Sequence, residues 1–310
     1  MENVLNESRD LQIVDRLIMR LASQTSPSLC MLIEQLPLYF RVTAIESNSE
    51  SHGWVNIAEI FHERASLRVK WISSGKTNIQ VNQVVSIRWK GQTESESGSI
   101  IISRLVTQNI PPKGLNILET IPLQWLKNRK LVERVIRISR SIPENYMDLI
   151  NGILWSADRL YEFVTGPSSL NHHHAYVHGN LQHTVEVCEL ASRVIISQTI
   201  NKQQLILLCF LHDIGKTVEY ARHPVSGRYS MSTRGKLIGH KMTAFEWAVE
   251  AKAKYNIQIL SDEWMQILHG LCSVQGIADW TGIRNAQTKE SLMMAQVDNL
   301  SSKQCGQLTR

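Results

Sequence analysis

Histidine and aspartate side chains in the second half of the chain have the types and the spacing of a metal site. His212 and Asp213 directly follow the apolar run Leu205–Leu211, in the sequence LHDIGK, and His183 lies 29 residues before His212 in a helical pattern. Asp298 lies late in the chain, in AQVDNL. Two neighbouring helices and a distant one can bring two imidazoles and two carboxylates to one ion. We therefore predict metal binding by His183, His212, Asp213 and Asp298.

This set of ligands favours a catalytic ion over a structural one. Nitrogen and oxygen ligands without a thiolate are typical of a first-row divalent ion, and we expect Mn²⁺, with Fe²⁺, Zn²⁺ or Mg²⁺ as alternatives. Such an ion lowers the pKa of its bound water and holds a phosphate oxygen, so the predicted reaction is phosphodiester hydrolysis. Lys216 follows Asp213 by three residues, and we expect it to contact substrate phosphate or to fix Asp213.

A basic loop follows this motif. Between Tyr220 and His240 the chain has several arginines and a lysine but no acidic residue. Guanidinium and ammonium groups bind phosphate well. We therefore predict that Arg234 and Lys236 contact substrate phosphate, with a solvated surface loop as the alternative.

A second basic segment extends from Lys127 to Arg140. Its six basic residues and Glu133 have a net charge of +5, which equals the net charge of the whole chain. On a helix, residues spaced i, i+4 and i+7 lie on one face. That face could follow a phosphate backbone, and the alternative is a solvated helix face. The predicted nucleic-acid contacts are Lys130, Arg134 and Arg137.

Length and composition describe a globular chain with room for two domains. The 310 residues are 43% hydrophobic and 20% charged, which excludes disordered, collagen-like and coiled-coil classes. The longest apolar run, Leu205–Leu211, is much shorter than the roughly 20 residues that cross a bilayer. The first residues lack the pattern of an export or transit signal. We expect a cytoplasmic protein without a membrane partner.

The hydrophobic periodicity divides the chain into a β-rich part and a helical part. Residues 1–35 have helical spacing, residues 107–115 are rich in proline and glycine and predict a linker, and residues 116–310 have a helical pattern. Residues 36–106 have a period of two. Their five predicted strands are LYFRVTAI, WVNIAEIF, SLRVKWI, VVSIRW and SIIISRLV. We predict a multi-domain α+β protein, with a small five-stranded barrel followed by an all-α domain.

The barrel segment resembles an OB-fold, whose strand face commonly receives single-stranded nucleic acid. Trp71 closes the third predicted strand and Trp89 lies in the fourth. Aromatic side chains can stack on bases at about 1 to 3 kcal/mol each. We therefore expect Trp71 and Trp89 to contact a single strand, and the alternative is that they belong to the barrel core.

Four motifs together resemble the YhaM type of 3′-to-5′ exoribonuclease, in which an OB-fold precedes an HD metal-dependent phosphohydrolase domain. The motifs are GPSSLNHHHAYVHGNLQHT, LHDIGK, TRGKLIGH and VDNL. The resemblance implies that the four predicted ligands bind the metal and that His240 contributes to a second metal or to substrate. His173 and His174 match the paired histidines of the family, with a catalytic or phosphate-binding role. His269 matches a further family histidine, which binds a second metal or substrate or only supports the site.

The chain departs from the family pattern at two places. His178 and Asn180 replace residues of the usual A-Y-x-G-G-L-x-x-H, and Ser273–Gly276 read SVQG where S-H-H-G is usual. Two candidate ligands are therefore missing. Valine has no donor atom and a neutral glutamine oxygen is a poor substitute for imidazole. We predict one tightly bound ion per chain, with any second ion bound weakly or brought by substrate phosphate.

The leading functional prediction is a metal-dependent phosphodiesterase that acts on single-stranded RNA or DNA, as a 3′-to-5′ exonuclease. Three alternatives stay open. One is a nucleic-acid-binding accessory protein whose HD site has decayed. Another is a nuclease of a mobile element, because the HHHA…H motif also resembles HD-like conjugative relaxases. The third is a phosphohydrolase of nucleotides or cyclic dinucleotides.

Overall fold

The computed structural model describes most of the chain as two compact units. The described residues are 35–96, 98–171, 174–193, 199–273 and 284–307. One unit extends to Asn109 and also includes Glu119–Pro122, and the other comprises Ile110–Leu118 and the chain from Leu123 onward. The predicted helix over residues 1–35 lies outside the described residues except for its last position.

Five strands form a closed barrel in the first unit. They are β1 (Tyr39–Glu50), β2 (Gly53–His62), β3 (Ala65–Ser73), β4 (Val84–Glu96) and β5 (Ser99–Thr107). The strand order is β1-β2-β3-β5-β4, and β1 pairs with β4 to close the barrel. Only the β3–β5 pairing is parallel among the described strand pairs of the barrel. The predicted barrel and the helical region after it are confirmed.

The alternating pattern of the strands places β-branched and aromatic side chains inside the barrel. Phe40, Val42, Ile60 and Val69 are fully buried in one hydrophobic cluster. Trp71 belongs to the same cluster and is only 4% exposed. The predicted stacking role of Trp71 is therefore wrong, because its ring faces the core and has no surface to offer a base.

Trp89 is placed differently from Trp71. It is partly buried and packs against the edge of the barrel core. Its β4 neighbours on the chain, Arg88 and Lys90, are exposed. Trp89 thus keeps part of its ring accessible, and its contact with nucleic acid stays a prediction.

A buried arginine joins the segment Glu119–Pro122 to the barrel. Arg41 is 1% exposed, and its guanidinium donates to the backbone and side-chain oxygens of Thr120 and to the backbone oxygen of Asn82. His62 adds an ion pair with Glu119 at 3.1 Å. These contacts explain why a segment distant in sequence belongs to the barrel unit.

The second unit is mainly helical. After a short 3₁₀ turn at Ile117–Thr120, the described helices are α1 (Arg129–Ser139), α2 (Glu144–Ile153), α3 (Ala157–Thr165), α4 (Gly179–Arg193), α5 (Lys202–Leu211), α6 (Lys216–Glu219), α7 (Thr233–Leu237), α8 (Gly239–Lys254), α9 (Ser261–Cys272) and α10 (Lys289–Gln307). A short antiparallel hairpin, which the all-α prediction did not include, pairs β6 (Tyr220–Arg222) with β7 (Tyr229–Met231). No described helix combines the length and the apolar character needed to span a membrane.

Helix α5 lies at the centre of this unit. All residues from Gln204 to Leu211 are buried, because the run LILLCFL is apolar on every side. α4, α9 and α10 pack against it. An apolar helix surrounded in this way delivers the residues at its carboxyl end, His212 and Asp213, into the interior of the unit.

Candidate metal centre

Three elements bring the four predicted ligands together. His183 lies in the middle of α4, His212 and Asp213 follow the last residue of α5, and Asp298 lies on α10. The first three are buried, and Asp298 is partly exposed. The ligand atoms of His183, His212 and Asp213 lie within 4.8 Å of one another.

The distances between the ligand atoms fit one divalent ion. Nε2 of His183 lies 3.3 Å from Nε2 of His212, 3.4 Å from Oδ2 of Asp213 and 3.2 Å from Oδ1 of Asp298. Nε2 of His212 lies 3.5 and 3.7 Å from the same two oxygens. Neighbouring ligand atoms around an ion with bonds of about 2.0 to 2.2 Å are separated by about 3.0 to 3.5 Å. His183, His212 and Asp213 therefore have the chemistry and the spacing of a metal site, and Oδ1 of Asp298 lies 3.2 and 3.7 Å from the two imidazoles.

Contacts outside the cluster orient the two imidazoles. Nδ1 of His212 lies 2.7 Å from the backbone oxygen of Cys209. Because a carbonyl accepts a hydrogen bond, this contact places the proton of the neutral ring on Nδ1 and leaves the Nε2 lone pair for an ion. Nδ1 of His183 lies 3.4 Å from Oγ of Ser301. Both rings thus direct Nε2 into the cluster.

Asp213 is held as a carboxylate. Its Oδ2 accepts a 2.6 Å hydrogen bond from Nζ of Lys216, which also lies 3.4 Å from Oγ of Ser168. Burial by itself would raise the pKa of Asp213, but the charges of Lys216 and of the surrounding histidines hold that pKa well below its ordinary value. Of the two roles expected for Lys216, its contact with Asp213 is present in the structure.

The other charged groups of the cluster respond to one another in the same way. Burial opposes the charge of Asp298, yet the nearby His183 and His212 side chains lower its pKa. Burial also opposes the charge of His212, yet the charges of Asp213 and Asp298 raise its pKa. Burying ionisable groups together is costly unless they are paired or bind a metal. The cluster is therefore a site at which bound positive charge would be stabilised.

His240, on α8, approaches Asp213 from the other side. Its Nε2 lies 3.6 Å from Oδ1 of Asp213, the oxygen that does not contact Lys216. Its Nδ1 lies 3.0 and 3.1 Å from the two carboxylate oxygens of Glu219. The sequence analysis did not single out Glu219, although it is the last acidic residue before the basic loop.

Of the two histidines that match the paired histidines of the family, the structure describes only His174. His173 lies outside the described residues. His174 is buried, with Nδ1 2.7 Å from the Tyr176 hydroxyl, Nε2 3.0 Å from the Glu186 carboxylate, and its ring centroid 5.4 Å from that of His183. Both ring nitrogens thus contact protein groups. His174 packs beside His183, and its catalytic or phosphate-binding role stays a prediction.

The first departure from the family pattern lies at the start of α4 and in the turn just before it. His178 replaces a glycine and has a φ of +70°, in the left-handed region that favours glycine, while its Nδ1 lies 2.8 Å from the backbone oxygen of Val164. Asn180 replaces a leucine and is fully buried, and its side-chain nitrogen and oxygen have no hydrogen-bond partner among the described residues. Of the SVQG departure, only Ser273 belongs to the described residues.

The remaining predicted site residues have other contacts. His269 accepts a 2.9 Å hydrogen bond at Nε2 from the backbone of Gln287, which favours the supporting role. Arg234 donates to Thr243 at 3.0 Å and pairs with Glu246 on α8. Lys236 is exposed. The Arg234 guanidinium is therefore already bound to protein groups, whereas the Lys236 side chain is accessible to solvent.

The basic face of α1 is partly neutralised within the protein. Arg134 forms a two-point ion pair with Glu189 of α4 at 2.8 and 3.0 Å, and Arg137 lies 3.3 Å from the same carboxylate. The hydrogen bond from Arg134 is the largest cause of the lowered pKa of Glu189. Lys130 is exposed. We therefore expect Lys130 to contribute more to phosphate binding than Arg134, whose charge Glu189 already compensates.

Comparison with known proteins identifies what the chain is similar to. The HD domain family matches residues 180–301, which include all four predicted ligands. The chain is 24% identical to 3′-5′ exoribonuclease YhaM of Geobacillus sp. strain WCH70 over 282 residues, which cover 87% of this chain and 83% of the relative. It is 26% identical to the protein of that name from Bacillus licheniformis, over 87% of this chain and 85% of the relative. The protein of that name from Listeria innocua serovar 6a is 29% identical over 73% of this chain and 70% of its own length.

Proposed function

We propose that this chain is a metal-dependent phosphodiesterase acting as an exoribonuclease, since its HD domain and its similarity to YhaM exoribonucleases over most of its length support the YhaM-type family. The observation that carries the proposal is the convergence of His183, His212, Asp213 and Asp298 at ligand spacing within the matched domain. The relatives' names support a 3′-to-5′ direction of cleavage.

Each residue of the cluster has a separate task in this proposal. A bound divalent ion would supply an activated water nucleophile and would stabilise the charge that develops on phosphate. His183 and His212 present Nε2 because Ser301 and the Cys209 carbonyl contact their other nitrogens. Lys216 keeps Asp213 ionised and in place. Hydrolysis breaks one P–O bond, the oxygen of water bonds to phosphorus, and the leaving oxygen takes up the proton that the water gives up and becomes a hydroxyl.

We propose Mn²⁺ as the ion, because two imidazoles and two carboxylates form a mixed set of intermediate softness. The four-ligand cluster supports one strongly bound ion. Metal analysis of protein purified without chelator should find about one equivalent of a divalent metal, and activity should return when the metal-free protein receives Mn²⁺. Two stoichiometric ions would contradict the single-site proposal.

We propose single-stranded RNA as the substrate, and single-stranded DNA as a second substrate to be tested. An OB-type barrel is suited to hold a strand without sequence preference. The partly exposed Trp89 and the exposed Lys130 are the residues that we expect to contribute to binding. Both lie in the part of the chain that the YhaM relatives share.

The test uses RNA and DNA oligonucleotides that are labelled at the 5′ end and incubated with protein and Mn²⁺. Cleavage from the 3′ end should produce a series of progressively shorter labelled products. Cleavage from the 5′ end would release the label at once as a mononucleotide. Mononucleotides and cyclic dinucleotides, incubated separately, should stay intact.

The matched variants are Asp213→Asn, in the cluster, and Asp262→Asn, at an exposed position at the start of α9. Asp213→Asn should lower the rate by more than about 100-fold, since loss of a group that only supports a metal ligand already costs about 10- to 100-fold. Asp262→Asn should match the unchanged protein. Salt-dependent RNA binding without any cleavage under several metals would instead support an accessory protein.

A further inference from the structure

Glu219, which is buried, and His240, which is partly exposed, form a carboxylate–histidine pair beside the candidate metal centre. The Glu219 side chain is 9% exposed, and both of its oxygens lie within hydrogen-bond distance of Nδ1 of His240. The opposite nitrogen, Nε2, faces Oδ1 of Asp213 at 3.6 Å. The imidazole therefore lies between two carboxylates, one of which belongs to the cluster and one of which does not.

Two glycines allow this close approach. A Cβ atom at position 215 would lie 2.9 Å from the Cα atom of His240, so only glycine lets the turn after Asp213 pack against the start of α8. A Cβ atom at position 235 would lie 2.9 Å from Cγ of Glu219. Glycine therefore occupies the two positions, 215 and 235, at which the backbone must approach His240 and Glu219 closely.

The β6–β7 hairpin fixes Glu219 from the other direction. The backbone nitrogen of Ser232, which follows β7, donates to the backbone oxygen of Glu219 at 2.9 Å. The Ser232 hydroxyl donates to the backbone oxygen of Val218 at 2.7 Å. Burial, together with the charge of the neighbouring Glu219 carboxylate, raises the pKa of Tyr220. Ser232 therefore holds the backbone of Glu219, and His240 contacts its carboxylate.

We propose that Glu219 is a positioning residue, which keeps the His240 proton on Nδ1 and thereby presents Nε2, together with Oδ1 of Asp213, to a cation that both groups share. The proposal rests on the proposed function, and it assigns the role to a residue outside the four-ligand cluster. The separation of 3.6 Å is close to that of neighbouring ligand atoms. A histidine that binds a metal through one ring nitrogen commonly donates a hydrogen bond from the other to a carboxylate, which fixes its tautomer.

The tautomer can be measured without metal and without RNA. We would record ¹⁵N spectra of metal-free protein labelled in histidine, assign His240 with a His240→Gln variant, and keep a single pH throughout. The unchanged protein should show Nδ1 protonated. Glu219→Leu, which is similar in size but accepts no hydrogen bond, should shift the proton towards Nε2. Glu219→Gln, whose amide oxygen still accepts, should keep it on Nδ1.

The second readout separates use of the metal from binding of RNA. Glu219→Leu should raise the Mn²⁺ concentration needed for half-maximal RNA cleavage by about 10- to 100-fold, with the KM for RNA within about twofold of the unchanged protein. Glu219→Gln should recover most of this loss. Glu250→Gln, which removes an exposed acid of α8 paired with Arg159, should change neither value.

The two proposals fail in different ways. An Nδ1-protonated His240 in Glu219→Leu, with an unchanged requirement for Mn²⁺, would overturn the role of Glu219 while leaving the ribonuclease proposal intact. Absence of RNA cleavage in the unchanged protein would overturn the proposed function, and the spectra would still decide the tautomer. If Glu219→Leu does not fold by circular dichroism, the comparison is made with Glu219→Gln. In that variant, a proton shifted to Nε2 would contradict the proposal.

Discussion

The barrel buries a charge against neutral oxygens, whereas the helical region buries charges against one another. The guanidinium of Arg41 donates to oxygens of Thr120 and Asn82, and burial lowers its pKa to about 9, so that it stays protonated at neutral pH. In the helical region, nitrogen and oxygen atoms of four side chains converge on a common point.

This comparison separates two kinds of buried charge. One is a structural charge whose hydrogen bonds are complete, and the other belongs to a cluster that can bind a cation. Arg41 is a donor, and the oxygens around it are acceptors, so their hydrogen bonds close the arrangement. The Cys209 carbonyl orients His212 so that its Nε2 lone pair faces inward, towards Oδ1 of Asp298. Such an arrangement is satisfied only when positive charge enters it. We therefore expect mutations in the barrel pair to change stability and mutations in the cluster to change activity.

The largest expected effect on stability comes from Arg41→Met. The substitution keeps much of the side-chain volume but leaves buried oxygens of Thr120 and Asn82 without their donor. We expect the free energy of unfolding of the barrel to fall by about 3 kcal/mol. Urea denaturation followed by tryptophan fluorescence measures this, and Arg68→Met, at an exposed position on β3, is the control. Equal stability of the two variants would contradict a structural role of Arg41 in the barrel.

The corresponding change in the helical region is Lys216→Met. Because Lys216 holds Asp213 through a 2.6 Å contact, its loss should lower the rate of RNA cleavage by about 10- to 100-fold while the metal content is unchanged. Single-turnover cleavage and metal analysis of the same sample provide the two readouts. Lys202→Met, at an exposed position at the start of α5, should behave like the unchanged protein. An undiminished rate would show that Lys216 is structural, like Arg41.

The partly exposed Arg134–Glu189 pair should contribute less to stability, and its contribution should depend on pH. In the folded protein the pKa of Glu189 lies below its ordinary value. The ion pair therefore stabilises the protein fully above the ordinary glutamate pKa of about 4.3. This stabilisation is lost as the pH falls through the pKa that Glu189 has in the folded protein. Glu189→Gln should cost about 0.5 to 1 kcal/mol at neutral pH and almost nothing in strong acid. Glu133→Gln, an exposed neutral substitution on α1, should have little effect at either pH.

The smallest predicted effect distinguishes two cations on α1. Lys130→Gln should flatten the dependence of RNA binding on salt by about 0.7 in slope, which is the value for one phosphate contact on a single strand. Arg134→Gln should change the slope less, because Glu189 already neutralises this guanidinium. Fluorescence anisotropy at several salt concentrations measures both slopes. A larger change for Arg134 would mean that the ion pair opens when RNA binds.

The metal ligands and the strands were accessible to sequence analysis because their signals are local. The run LILLCFL followed by HDIGK marks a buried helix that ends in two predicted ligands, and five alternating segments mark the five strands. The late VDNL motif added Asp298 through family resemblance and spacing. In each case the residue type and its immediate neighbours carry the information.

Contacts between distant residues were decided only by the tertiary structure. The pairing of Arg134 with Glu189 joins residues 55 positions apart, and no local pattern distinguishes it from a solvated basic face. Trp71 has the same residue type as Trp89, yet the register of β3 turns it into the core. Glu219 meets His240 because two glycines permit close backbone approach. Periodicity and motifs specify which face a side chain takes within its own element, whereas packing between elements decides which partner that face meets.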